Sequence, residues 1–163
     1  MAIVNSSSQT AISNGFLRMA TEIVQNNQSS EEALRTAINR AYYSVFLTVR
    51  DHMFGADGNG LTRAIRNRLG RRFQHRHRWY PGSHDLILFA LADLTASSTI
   101  HPITLSQQIG QLKLARIRAD YNFAISNLQD IPYDTWLVYA NHMVALASQL
   151  LPDARRLPSY TSP

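Results

Sequence analysis

Apolar residues recur every three to four positions along most of this chain, the spacing of amphipathic helices. From Gln9 to about Gln25, Ile12, Phe16, Met19 and Ile23 fall in register and predict a first helix. The polar run Asn26-Asn27-Gln28-Ser29-Ser30 ends it. Ser29 or Ser30, followed by Glu31 and Glu32, then marks a helix start: a hydroxyl caps free amide groups, and acids suit the positive end of the helix dipole. The second helix is predicted from about Glu31 to Met53. Leu34, Ile38, Ala41, Val45 and Val49 form one stripe, and Tyr42, Phe46 and Met53 widen it, so burial over much of the circumference is expected. The glycine-rich GADGNG at 55–60 stops the helix. Its spacing fits neither a phosphate-cradling loop nor a calcium loop, so it reads as a turn.

Leu61, Ile65, Leu69 and Phe73 outline a short basic helix, and HRHRWYPG at 75–82 an exposed turn. A further helix is predicted from about Ser83 to Ser97, broken by the segment that ends at Pro102. The next runs from about Thr104 to Asn127, with Leu105, Ile109, Leu112, Ala119 and Phe123 in register. Pro132 is expected to open the last helix, whose stripe is Trp136, Ala140, Met143, Ala147 and Leu150. The tail from Pro152 holds three prolines and is expected to be loose. No strand of useful length and no internal repeat is readable. The fold class is all-α: an up-and-down bundle of four to five helices. One domain over 1–163 is expected, with an ordered core at about 9–151, a basic segment at 61–80 and the tail at 152–163.

Composition changes this picture little; charge changes it more. The longest apolar run, Leu86 to Ala92, falls far short of the roughly 20 residues of a membrane span. The N-terminus lacks a basic stretch ahead of an apolar one, and there are no cysteines. Disulfides and thiolate metal sites are excluded, and a cytoplasmic protein away from membranes is expected. The formal net charge is +5, from 16 basic and 11 acidic residues. Lys113 is the only lysine. Seven arginines lie in one stretch: Arg63, Arg66, Arg68, Arg71, Arg72, Arg76 and Arg78. No acid occurs from Gly58 to His84, and without those seven the chain has nine basic against eleven acidic residues. The positive excess is therefore local, and a local arginine excess is the footprint of a polyanion partner.

Two runs stand out in the predicted helices: NRAYYSVF, holding Arg40, Tyr42, Tyr43 and Phe46, and RIRADYNF, holding Arg116, Asp120 and Tyr121. Together they resemble the HEPN family of small all-helical domains, whose prokaryotic members often show Arg-Ala-Tyr-Tyr-x-x-Phe early and Arg-x-x-Ala-Asp-Tyr later. The resemblance extends over roughly Gln9 to Leu151. It implies a helical bundle, often a homodimer, associated with RNA or nucleotides and frequently part of toxin–antitoxin or defence systems. Active members are metal-independent ribonucleases with an Arg-x(4–6)-His motif. No histidine follows Arg116 at that spacing, which puts cleavage in doubt. Other spacings, such as Arg72 to His77 and Arg78 to His84, arise readily by chance in so basic a segment.

Arg116 is unusual on physical grounds alone. It falls on the stripe 105, 109, 112, 116, 119, 123, which is otherwise apolar. A charge there needs a partner, and Asp120, one turn on, is the natural one, with Arg40 or a tyrosine hydroxyl completing a network. Arg116, Asp120, Tyr121 and Arg40 are thus the candidates for catalysis, with an Arg116–Asp120 clamp that fixes helix register as the favoured reading. The nucleic-acid-binding candidates are the seven arginines with His75, His77, Trp79 and Tyr80, a mix of charge and stacking surface suited to single strands. His75, His77 and His84 make a poor metal set, so no metal and no cofactor is expected. The expected function is RNA or nucleotide binding. The rival is a protein-interaction module whose basic segment docks an acidic partner such as an antitoxin.

Overall fold

The computed structural model describes residues 6–26, 29–55, 83–94, 102–121 and 135–159. Among them are five helices and no strand: α1 (Ser6–Gln25), α2 (Glu31–Phe54), α3 (Ser83–Asp93), α4 (Pro102–Tyr121) and α5 (Trp136–Ala154). The protein is an all-α helical bundle, as the periodicity predicts. No helix among the described residues is long and apolar enough to cross a membrane.

The bundle is built around α2. Leu34, Ile38, Ala41, Val45 and Val49 are all buried, and so are Tyr42, Phe46 and Met53. Large apolar side chains of this kind contribute about 1.5–3 kcal/mol each when fully buried, so the stripe accounts for much of the drive to assemble. Ser30 is the N-cap, its hydroxyl accepting from the Ala33 amide at 3.3 Å, while Ser29 donates to the Ile23 carbonyl at 2.7 Å. Gly55 ends the helix at φ 79°, where a side chain would strain the backbone.

Cross-contacts set the helix directions. Asn39 meets Asp120 and Tyr43 meets Arg116, so α4 runs antiparallel to α2. Asp85 meets Lys113, and the Leu88 carbonyl accepts from Ser106 Oγ at 2.9 Å, so α3 runs antiparallel to α4. On the other side, Trp136 at the start of α5 lies under the Arg35 guanidinium, 4.6 Å from the ring centroid.

Three expectations change. The face that α1 buries is not the one its large residues outline: Ser13, Ala20 and Val24 are buried, while Ile12 and Met19 are 50% and 44% exposed. Small residues let α1 lie close on α2, and that contact sets its rotation. The last helix begins at Trp136, capped by Thr135, whose hydroxyl accepts from the Val138 amide at 3.2 Å. Pro132, expected to open it, lies outside the described residues. Finally, the chain after Pro152 is not loose throughout. Pro152 sits inside α5, and beyond it Ala154 and Leu157 are buried. The apolar register of α5 continues past the proline, and Arg155 ties the end to α1 through Asn14. A proline in the last turn costs little when the residues beyond it have a core to enter.

Candidate functional site

A polar seam runs where α2, α3 and α4 meet. Arg116 Nε lies 2.9 Å from Asp120 Oδ2, the pair one turn apart that the sequence predicts. The Nε–H is not aligned on that oxygen, so the contact is an ion pair rather than a directed hydrogen bond. The other Asp120 oxygen accepts from Asn39 Nδ2 at 2.5 Å, across to α2. Asn39, and not Arg40 or a tyrosine hydroxyl, completes the network. Both partners of the ion pair are about a quarter exposed. They are shielded from bulk water without being cut off from it.

His84 enters the same seam from the second position of α3. Its ring stacks on Phe46 at 4.2 Å between centroids and lies edge-on to Tyr43 at 6.0 Å. Its Nδ1 is 2.5 Å from the Tyr42 hydroxyl. Burial pushes the imidazole below its usual range, and the Arg116 and Lys113 charges push the same way, with Asp85 opposing. Burial, with Tyr43 beside it, pushes the Tyr42 phenol well above its usual range. At neutral pH both groups are uncharged. Either Tyr42 donates to a bare Nδ1, or Nδ1–H donates to the phenol oxygen and Nε2 is bare.

Two cations border these rings. The Arg116 guanidinium lies 5.9 Å from the Tyr43 centroid. Lys113 pairs with Asp85 across α3 and α4. Two cations thus face two carboxylates, with a neutral imidazole, a neutral phenol and the half-buried face of Tyr43 between them. Chemically, the seam offers guanidinium and ammonium donors to an oxyanion, an imidazole able to carry a proton, and an aromatic face.

The other predicted residues are placed elsewhere or not described. Arg40 turns to α1, its guanidinium 4.9 Å over the Phe16 ring. Its buried Nε has no hydrogen-bond partner among the described residues. Tyr121 is 69% exposed. Arg63, Arg66, Arg68, Arg71, Arg72, Arg76, Arg78, His75, His77, Trp79 and Tyr80 lie outside the described residues. No cluster of three or more potential metal ligands occurs among the described residues.

Sequence reasoning weighed His84 only as a spacing partner of Arg78 or as a metal ligand, and passed over Asn39, Asp85 and Lys113. One signal was available: His84 precedes Ile87 and Leu91, both buried, at helical spacing, so it belongs to the inward face of α3. That it shares the Tyr43 ring with Arg116, thirty-two residues away in the chain, is a tertiary fact. No protein-family model, curated protein or solved structure matches the chain.

Proposed function

We propose that this chain is a HEPN-like helical bundle that binds RNA or a nucleotide, as a cytoplasmic, homodimeric component of a toxin–antitoxin or defence system. The observation that carries the reading is the meeting of Arg116, Lys113, His84 and Tyr43 on one partly accessible seam. A guanidinium held over a tyrosine face suits a phosphate next to a base, because the fork grips two oxygens and the ring stacks. Asp120 and Asp85 already engage the two cations, so a phosphate competes for their donors and the seam alone binds weakly. The arginines between Arg63 and Arg78 supply the bulk of the affinity in this reading.

Filter binding of a labelled oligoribonucleotide at two salt concentrations tests it. The expected result is an affinity that falls steeply with salt, lost when Arg71, Arg72, Arg76 and Arg78 are replaced by alanine while the thermal melt is kept. Absence of binding at low salt sinks the reading. Incubation with RNA in a chelator separates the binder proposed here from a metal-independent ribonuclease, which alone yields fragments.

One observation favours the rival, a module that docks a protein. Leu114, Ile117 and Tyr121 stand exposed along one face of α4. If the partner is an acidic protein, the basic segment binds it and RNA is not retained at any salt concentration.

A further inference from the structure

The seam is balanced in charge, and this bears on how it takes an anion. From α2 the Tyr42 hydroxyl and the rings of Tyr43 and Phe46 pack on His84. Its chain neighbour Asp85 pairs with Lys113 of α4, and Arg116 of α4 lies over the same Tyr43 ring. Beside them Asp120 holds Arg116. With His84 neutral, two cations are matched by two carboxylates. A phosphodiester added here brings a third negative charge and no new positive one. Lys113 and Arg116 are cationic already, and the Tyr42 phenol has no proton to gain. The imidazole is the group among these whose ordinary titration range reaches neutrality. Burial and the two cations hold it below its usual range. An anion between them opposes the two cations and favours the charged ring.

We propose that phosphate binding at this seam is coupled to protonation of His84, which becomes the third cation as the anion docks beside Arg116 and Lys113. The inference rests on the reading above that the seam holds a phosphate, and it adds the regulation of that site. On protonation both ring nitrogens carry hydrogen. Nδ1–H then donates to the Tyr42 oxygen, and Nε2–H is free to donate to the ligand. Binding therefore tightens as pH falls, by at most about tenfold per pH unit where His84 titrates. Phosphate release is correspondingly favoured on the alkaline side.

The probe is a 2′-O-methylated ApA dinucleotide. Its single phosphodiester keeps one charge across the range, and it lacks the hydroxyl needed for cleavage. Calorimetry of the full chain near about pH 6.5, in two buffers of different ionisation heat, reads proton uptake directly. The expected result is uptake of a sizeable fraction of a proton per site by the native chain. His84→Gln, which keeps a hydrogen-bonding group for Tyr42, should bind with little uptake. Binding without uptake, or uptake undiminished in H84Q, overturns the coupling and leaves the phosphate site standing. No binding by the native chain at any pH removes both. Independently of any variant, the His84 ring proton is also followed by NMR in the native chain. Its midpoint should rise when the dinucleotide is added, and a midpoint that stays or falls overturns the proposal.

Discussion

At the scale of single residues, His84 is one group through which the molecule responds to pH. Its folded-state titration is depressed by burial, by Arg116 and by Lys113. The unfolded chain therefore takes up its proton first as pH falls. The stability contributed by the neutral ring is present above the unfolded value, near about pH 6.5, and is lost as pH falls through the folded value. Chemical denaturation in steps from about pH 8 to pH 5 should show this decline, and His84→Gln should flatten it. An unchanged slope in the variant assigns the decline to other groups. The Tyr42 hydroxyl is the partner that holds the ring. Tyr42→Phe keeps the core volume and removes that bond, so a loss of about 0.5–1.5 kcal/mol is expected. Asn39 is the third decisive residue, since it joins Asp120 to α2. Asn39 and Asp85 were not legible as site residues because a polar side chain beside a buried stripe is ordinary. Only its partner distinguishes it, and the partner lies on another helix.

At the scale of elements, α4 is joined to α2 by the Asn39–Asp120–Arg116 group, and its Leu105, Ile109, Leu112 and Ala119 are buried in the core. A fully buried pair broken on one side costs about 3–5 kcal/mol, whereas an exposed pair costs about 0–1 kcal/mol. The Arg116 and Asp120 side chains are 27% and 23% exposed. Arg116→Ala should therefore cost about 1–2 kcal/mol in urea denaturation, between those limits. A double-mutant cycle of Arg116→Ala with Asp120→Asn should return a coupling of about 0.5–1 kcal/mol, and additivity would show the pair to be decorative. Helix α1 shows where periodicity misled. Ile12, Phe16, Met19 and Ile23 share one face, yet Ser13, Ala20 and Val24 are the residues buried, with Leu17 and Ile23 packed partly against the core. Met19→Glu should change the melting temperature little, whereas Ala20→Leu should destabilise by about 1–3 kcal/mol through overpacking. The reverse order would mean that Met19 is covered in solution. The basis of the miss is general. The sequence pattern shows which residues are apolar, but close approach of two helices selects the small ones.

At the scale of the whole molecule, charge falls into two groups of different character, one seen in the seam and one in the sequence. The seam of α2, α3 and α4 is balanced and partly shielded, while the positive excess sits in the stretch from Arg63 to Arg78. In the proposed function the second region attracts a polyanion at long range and the first holds one phosphate at short range. Salt should therefore weaken oligoribonucleotide binding far more than dinucleotide binding. A competition titration with both ligands checks this, and equal salt slopes would place both on one surface. The sequence by itself determined the all-α class, the α2 spine, a serine cap at Ser29 or Ser30, the Arg116–Asp120 pair and the local charge excess. Each depends on residues within about one or two helical turns, so the chain fixes it before packing. The tertiary structure decided which face of α1 is buried, how far the end of α5 is packed, and that His84, Tyr42, Tyr43, Lys113 and Arg116 share a seam. Those depend on three helices crossing at one level, and helical periodicity carries no information about which turn of one helix lies beside which turn of another.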